Sequence, residues 1–200
     1  MLSQLMSNLL TLTAVAYLLG SIPFGLILGW ALLRRDIRGG GSGHSGASNT
    51  MRQAGWGAGV VVLALDIGKG TLAEWLALRY GTMPLTPVLA GGAAVAGHCW
   101  PVFARFRGGM GMATAGGVLL ASWPLGFAIG VGLAALGSLV LRHSARGNVM
   151  AGLLVGPVIW LFTRSAALAL IAVTVGVFVA VRALSDWNRV YGGLWLDRGK

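Results

Sequence analysis

Two hundred residues allow one domain or two small ones. Only 10% are charged and 56% are apolar, where an ordinary soluble domain carries about 25% charged residues. That balance excludes a water-soluble globule and a disordered tail, and a single cysteine, Cys99, excludes an internal disulfide. A net charge of +10 on so apolar a chain leaves an all-α, polytopic integral membrane protein, read as one membrane-embedded domain over residues 1–200.

A membrane-spanning helix needs roughly 20 mostly apolar residues. The first predicted span runs from Leu9 to Leu33, too long for a cleaved signal peptide. The second runs from Gly55 to Leu78 and the third from Met83 to Phe103. An ambiguous apolar region, Ala113–Leu141, precedes two further segments, Val149–Phe162 and Ala166–Val181.

Charge orders these spans, because Lys and Arg accumulate in cytoplasmic loops. Twelve of the 15 basic residues fall in four clusters. Arg34, Arg35, Arg38 and Arg52 follow the first span, and Arg105 and Arg107 follow the third. Arg142 and Arg146 come next, and Arg182, Arg189, Arg198 and Lys200 end the chain. Placing all four on one side puts the N-terminus outside and the C-terminus in the cytoplasm. The segment from Arg107 to Arg142 must then return to the side it left. It is too short for two full spans, so Pro124 in Ser122-Trp123-Pro124 is read as a break between two short, tilted or re-entrant helices. The total is about seven transmembrane or short re-entrant helices. The alternative is one kinked helix with Arg142 outside.

Four polar segments carry candidate chemistry. Arg38–Arg52 is rich in glycine and serine. Such a loop can turn N–H groups inward as an anion nest, with Ser42, Ser45, Ser48 and Asn49 as neutral donors and Arg52 as a bidentate cation; the plain alternative is a flexible linker. The second segment, Gly97–Thr114, leaves a helix at His98 and reaches a further glycine turn past Arg107, Gly108 and Gly109. His98 reads as a proton carrier or an interfacial histidine. Asp66 and Lys69 lie at i, i+3 inside an apolar stretch, either as a helix-positioning ion pair or as part of a site. The last, Arg142–Asn148, is short and basic. Together they predict a cationic pocket at the mouth of an apolar bundle, suited to an anionic head on an apolar tail. Nucleic acid fits poorly, since the arginines are few per loop and no basic helix or stacking platform is present.

These residues resemble the bacterial membrane acyl-phosphate:glycerol-3-phosphate acyltransferases (the PlsY type) over nearly the whole chain. Gly20-Ser-Ile-Pro-Phe-Gly25 is similar to the family's first-helix signature. Asp36-Ile37-Arg38, Gly41-Ser42-Gly43 and Gly46-Ala47-Ser48-Asn49 through Arg52 resemble its first motif. Asp66–Gly70 resembles its Asp-x-x-Lys-Gly segment, and Gly97-His98, Trp100-Pro101, Phe106–Gly109 and Ala113-Thr114 resemble its second motif. The resemblance implies a seven-helix membrane domain with its N-terminus outside. It also implies acyl transfer from acyl phosphate to the 1-hydroxyl of glycerol 3-phosphate, giving lysophosphatidic acid for phospholipid synthesis, with no metal, cofactor or acyl-enzyme. It places the protein in the inner membrane with its site loops on the cytoplasmic side, in contact with membrane lipid and linked to the enzyme that makes acyl phosphate. By the match, Ser42, Arg52 and His98 form the catalytic set. Gly41, Ser42, Gly43, Ser45, Asn49, Arg52, Arg107, Gly108 and Gly109 bind phosphate, and His44, Asp66, Lys69, Arg146, Asn148 and Arg189 support them. No histidine is followed by an aspartate five positions later, so the His-x4-Asp acyltransferase arrangement is absent.

The sequence also departs from the pattern. His44 stands at a family asparagine, Met110 at a lysine, and Ala145 and Asn148 at serines. Asp186-Trp-Asn-Arg189-Val-Tyr-Gly-Gly193 resembles the family's Asn-Ile-x-Arg-Leu ending, in which Arg189 and Gly193 fit, while Ala183 stands at a histidine and Trp195 at a glutamate. Two readings follow: an active acyltransferase, or a divergent relative with a changed acceptor or no catalysis that binds a lipid phosphate or regulates a partner. An anion transporter is a third, disfavoured by the lack of matched interrupted helices in two halves.

Overall fold

The computed structural model describes residues 1–189. Gly193, Trp195, Arg198 and Lys200 lie outside the described residues. Nine α-helices and no strand occur among the described residues: α1 (Leu2–Gly20), α2 (Phe24–Leu33), α3 (Ala47–Ala54), α4 (Trp56–Tyr80), α5 (Leu85–Cys99), α6 (Met112–Ser122), α7 (Pro124–Leu141), α8 (Ser144–Thr163) and α9 (Ala166–Leu184). Five stretches are long and apolar enough to cross a membrane: Leu2–Leu33, Leu85–Ala104, α7, α8 and α9. The sixth long helix, α4, carries Asp66, Lys69, Glu74 and Arg79, and its first three ionisable side chains are buried in the bundle rather than turned to lipid.

Three sequence expectations change. The first span is not continuous. It breaks at Ser21-Ile22-Pro23, because Pro23 supplies no N–H to the turn before it, and the carbonyl of Ile22 accepts a hydrogen bond from Lys69 Nζ at 2.9 Å. The glycine loop is only half loop, since residues 47–54 wind into α3. The break at Pro124 is present, with extended Trp123 before it and proline at the first turn of α7, but the two helices it separates are unequal. At 11 residues α6 is about 16 Å long, whereas α7, at 18 residues, is about 27 Å and long enough to span. The cause lies just upstream. The Gly108 and Gly109 amides donate to the carbonyls of Cys99 (3.2 Å) and His98 (3.1 Å), so the chain runs back along the end of α5 and α6 begins inside the bundle.

Membrane helices gain little from burying apolar surface against each other, so close packing of small residues holds them together. A Cβ at Gly117 of α6 would clash with the Ile67 carbonyl, and one at Gly70 of α4 with that of Thr114. Gly152 of α8 and Gly176 of α9 face each other in the same way, as do Gly20 of α1 and the backbone of Ala94 in α5. The core of Ala90, Ala94, Val95, Val118, Ala172 and Val175 joins α5, α6 and α9.

Members of all four arginine clusters and the glycine loop meet at one end of this bundle. Arg38 forks onto Asp36, with its closest contact at 2.7 Å, and donates to the carbonyls of Ala104 and Arg107 at 2.9 Å each, joining the first loop to the second. Arg146 donates to the Trp187 carbonyl at 3.1 Å and stacks on the Trp187 ring. His44 reaches Asp186.

Candidate functional site

A cavity of about 580 Å³ opens between this end and the interior of the bundle. Its polar end is built by Ser42, His44, Ser48, Asn49, Arg52, Asp66, His98, Ser144 and Asn148. Its other wall is apolar: Leu63 and Ile67 from α4 face Phe127, Val131, Ala134 and Ala135 from α7. One continuous space therefore offers hydrogen-bond donors and a cation at one end and a hydrocarbon wall at the other.

The glycine loop is shaped by Asn49. Its Oδ1 accepts the Ser42 amide at 2.8 Å, and its Nδ2 donates to the carbonyls of Ile37 and His44, both at 2.8 Å. Gly41 and Gly43 adopt φ of 59° and 72°, the left-handed region that side chains disfavour. The nest expected from the sequence takes a different form, because the Ser42 amide is engaged by Asn49 and the Gly43 amide by the Gly40 carbonyl. The donors facing the cavity belong instead to the first turn of α3, where Gly46, Ala47 and Ser48 line it, with Arg52 on the next turn. First-turn N–H groups have no partner inside their helix and attract anions.

Behind this loop lies a buried charged cluster. Lys69 Nζ is 2.8 Å from Asp66 Oδ1, and His98 Nδ1 is 3.5 Å from the same oxygen. Asp66, Lys69 and His98 are 2%, 5% and 6% exposed. Lys69 turns away from the cavity to the Ile22 carbonyl, whereas Asp66 and His98 line it. The ion pair thus fixes the break between α1 and α2 and also borders the site. Gly109 packs so closely on the His98 ring that a Cβ there would collide with Nε2, so the second glycine turn sets the imidazole in place.

Of the residues expected from the sequence, Ser42, His44, Asn49, Arg52, Asp66, His98 and Asn148 line the cavity. Gly41, Gly43, Ser45, Lys69, Gly108 and Gly109 support its walls without lining it. Arg107 is exposed and engages through its carbonyl, while Arg146 and Arg189 lie with the turn after α9, around Asp186 and Trp187. Met110 is packed on an apolar cluster of Val149, Ala180 and Ala183, so two of the departures, at 110 and 183, share one patch. Sequence reasoning missed Ser138 and the apolar wall. A serine in the Gly137-Ser138 step of an apolar helix is a weak signal, and nothing in hydropathy tells a cavity-facing Phe127 from a lipid-facing one.

His44 lies outside the spans, and burial holds its imidazole below the ordinary value of 6.5, against the opposing pull of Asp186. The side-chain hydrogen bond from Arg38 is the main cause that keeps the Asp36 carboxyl below its usual range.

A sequence model described as glycerol-3-phosphate acyltransferase matches residues 10–193. A glycerol-3-phosphate acyltransferase of Geobacillus kaustophilus is 39% identical over 176 residues, covering 88% of this chain and 89% of that protein. One from Synechococcus sp. is 39% identical over 194 residues, covering 95% and 94%. The crystal structure of PlsY, an integral membrane glycerol 3-phosphate acyltransferase, in its glycerol 3-phosphate form is similar with a TM-score of 0.79 at 32% identity, covering 90% of each chain. Its lysophosphatidic acid form gives 0.78 at 31%, with the same coverage.

Proposed function

This chain belongs to the glycerol-3-phosphate acyltransferase family and is a membrane acyltransferase; from that premise we propose that it moves a fatty acyl group from acyl phosphate to the 1-hydroxyl of glycerol 3-phosphate. The observation that carries the proposal is the single cavity with Ser42, Asn49 and Arg52 at one end and Leu63, Ile67, Phe127 and Val131 along the other. An acyl phosphate has a phosphate for the first end and a hydrocarbon tail for the second.

In the step proposed, the 1-hydroxyl oxygen attacks the acyl carbon and the bond from that carbon to the phosphate oxygen breaks. The hydroxyl proton leaves with the phosphate, and the product is lysophosphatidic acid. An acyl phosphate carries its own leaving group, so holding two anions together and stabilising the developing charge supply the catalysis. Arg52 and the first turn of α3 hold a phosphate, Ser42 donates its hydroxyl, and Asn49 keeps the loop in shape. His98, backed by Asp66, borders the reacting end. The arginine-rich end faces the cytoplasm by the charge rule, in the inner membrane with the N-terminus outside. There it meets soluble glycerol 3-phosphate and the enzyme that makes acyl phosphate.

The apolar packing of Met110 on the patch that includes Ala183 favours a second reading, a relative with a changed acceptor or no catalysis. Purified protein given palmitoyl phosphate and glycerol 3-phosphate separates the two. Lysophosphatidate formation supports the transferase, and none supports the second reading. A large gain on Met110→Lys would point the same way, to activity lost or redirected in the wild type.

A further inference from the structure

The glycine loop is held from two sides. On the inner side is Asn49. On the outer side the His44 side chain is gripped by the end of α9. Its Nε2 lies 2.6 Å from Asp186 Oδ2, and its Nδ1 lies 3.0 Å from Arg182 Nη2. Asp186 is 3% exposed, and its Oδ1 faces Arg182 at 4.0 Å and Arg189 at 3.8 Å and accepts from Ser185 Oγ at 3.2 Å. Arg189 also touches the loop: a Cβ at Gly43 would stand 3.0 Å from its Nη2.

These two contacts select one state of the imidazole. Nε2–H donates to the carboxylate, and Nδ1 accepts from the guanidinium. With both nitrogens so engaged, the ring acts through geometry and not as an acid or base. Neither Asp186 nor Arg182 lines the cavity, yet His44 does. The turn after α9 is thereby wired to the cavity wall through one side chain.

We propose that His44, Asp186 and Arg182 form a latch fastening the glycine loop to the end of α9, which makes Asp186 and Arg182 positioning residues for glycerol 3-phosphate. The proposal rests on the reading above that the polar end of the cavity holds two phosphates together, and it gives the glycine-loop side of that end to the acceptor's phosphate. A glycine-rich loop has much conformational entropy to lose on becoming ordered. Fastened beforehand, it loses that entropy on folding. Unfastened, it loses it when phosphate binds, and affinity falls. The effect therefore belongs to KM for glycerol 3-phosphate. The acyl phosphate, held along the apolar wall of α4 and α7, is affected little.

The test uses the full chain purified in detergent, as wild type, His44→Ala, Asp186→Ala, Asp186→Asn and the double variant H44A/D186A. Each alanine variant is expected to raise KM for glycerol 3-phosphate about tenfold, with kcat and KM for palmitoyl phosphate within about threefold. The double variant is no worse than the worse single one, because one latch is opened in each. Asp186→Asn keeps an acceptor for Nε2–H and recovers most of the loss. Additive losses, a change confined to kcat, an equal rise for both substrates, or no change overturns the latch. If the alanine variants do not fold, Asp186→Asn and His44→Gln carry the same kinetic comparison, with smaller rises expected. If the wild type makes no lysophosphatidate, the functional reading fails and the latch is judged on binding. A glycerol 3-phosphate-induced shift in thermal unfolding, present in the wild type and reduced in the variants, supports it. Equal shifts, or no shift in any protein, overturn it.

Discussion

Asp66 and Glu74 lie on one helix, about 12 Å apart along its axis, and both are buried, at 2% and 0% exposure. Their surroundings differ. Asp66 has Lys69 at 2.8 Å, His98 at 3.5 Å and the cavity beside it. Glu74 has the Ser122 hydroxyl at 2.9 Å, against the break between α6 and α7, and no cation within ion-pair distance among the described residues. Near Gly91 and Val118 it faces the packed interior. A buried ionisable residue in a membrane helix is a functional candidate by default, yet here one helix carries one such residue in the site and one in the frame. What separates them is whether the carboxyl has a cation, a histidine and an open space within reach.

The sharpest way to break the contrast is Asp66→Ala. It strands Lys69 without its counterion and frees His98, so activity is expected to fall about 100-fold and stability by about 3 kcal/mol, measured by lysophosphatidate formation and thermal unfolding. Unchanged turnover would move Asp66 into the frame with Glu74. Next comes Arg52→Ala, expected to lower kcat/KM about 100-fold while leaving the unfolding midpoint nearly unchanged, which separates a site effect from a folding effect. Glu74→Ala is expected to do the reverse: a loss of about 2 kcal/mol in stability with KM for both substrates unaltered, and Glu74→Gln restoring most of it. A raised KM in a well-folded Glu74→Gln would erase the distinction.

A smaller effect follows from His44. Burial is the first cause lowering its pKa, Asp186 opposes it, and Arg182 and Arg189 add to it. The folded state therefore favours the neutral ring. The stabilisation from this group is complete above its ordinary value of 6.5 and is lost as the pH falls through the folded value. A proton on Nδ1 would face the Arg182 guanidinium. KM for glycerol 3-phosphate in the wild type should rise toward acid more steeply than in His44→Ala, and parallel profiles would contradict this. The smallest effect expected is that of Arg164→Ala, an exposed arginine after α8, which should leave activity and stability within error.

The order of the long helices is legible in the sequence because runs of apolar residues and clusters of arginine survive any detail of packing. Pro124 is legible as a break because a return to the arginine-rich side requires one. The break at Pro23 is harder to read, since apolar residues continue on both sides of it and hydropathy joins them; only the Lys69 contact with Ile22 shows what the opened backbone is for. Ser42, Asn49 and Arg52 are legible as neighbours because they sit in one short segment. The loop's hydrogen bonding is not, because Asn49 turns inward to take the amide that a nest would have offered. Asp186 and His44 are 142 positions apart, and no local pattern in one chain announces such a pair. The apolar wall of α7 is hidden for another reason: Phe127 and Val131 look in sequence like any lipid-facing residues.

The most direct test is the rate of lysophosphatidate formation from palmitoyl phosphate and glycerol 3-phosphate by the wild type and by Arg52→Ala, measured side by side in the same detergent. Steady turnover by the wild type and a loss of about 100-fold in the variant are the expected result. Equal rates in the two proteins would contradict the assignment of this cavity, and no turnover by a folded wild type would contradict acyl transfer itself.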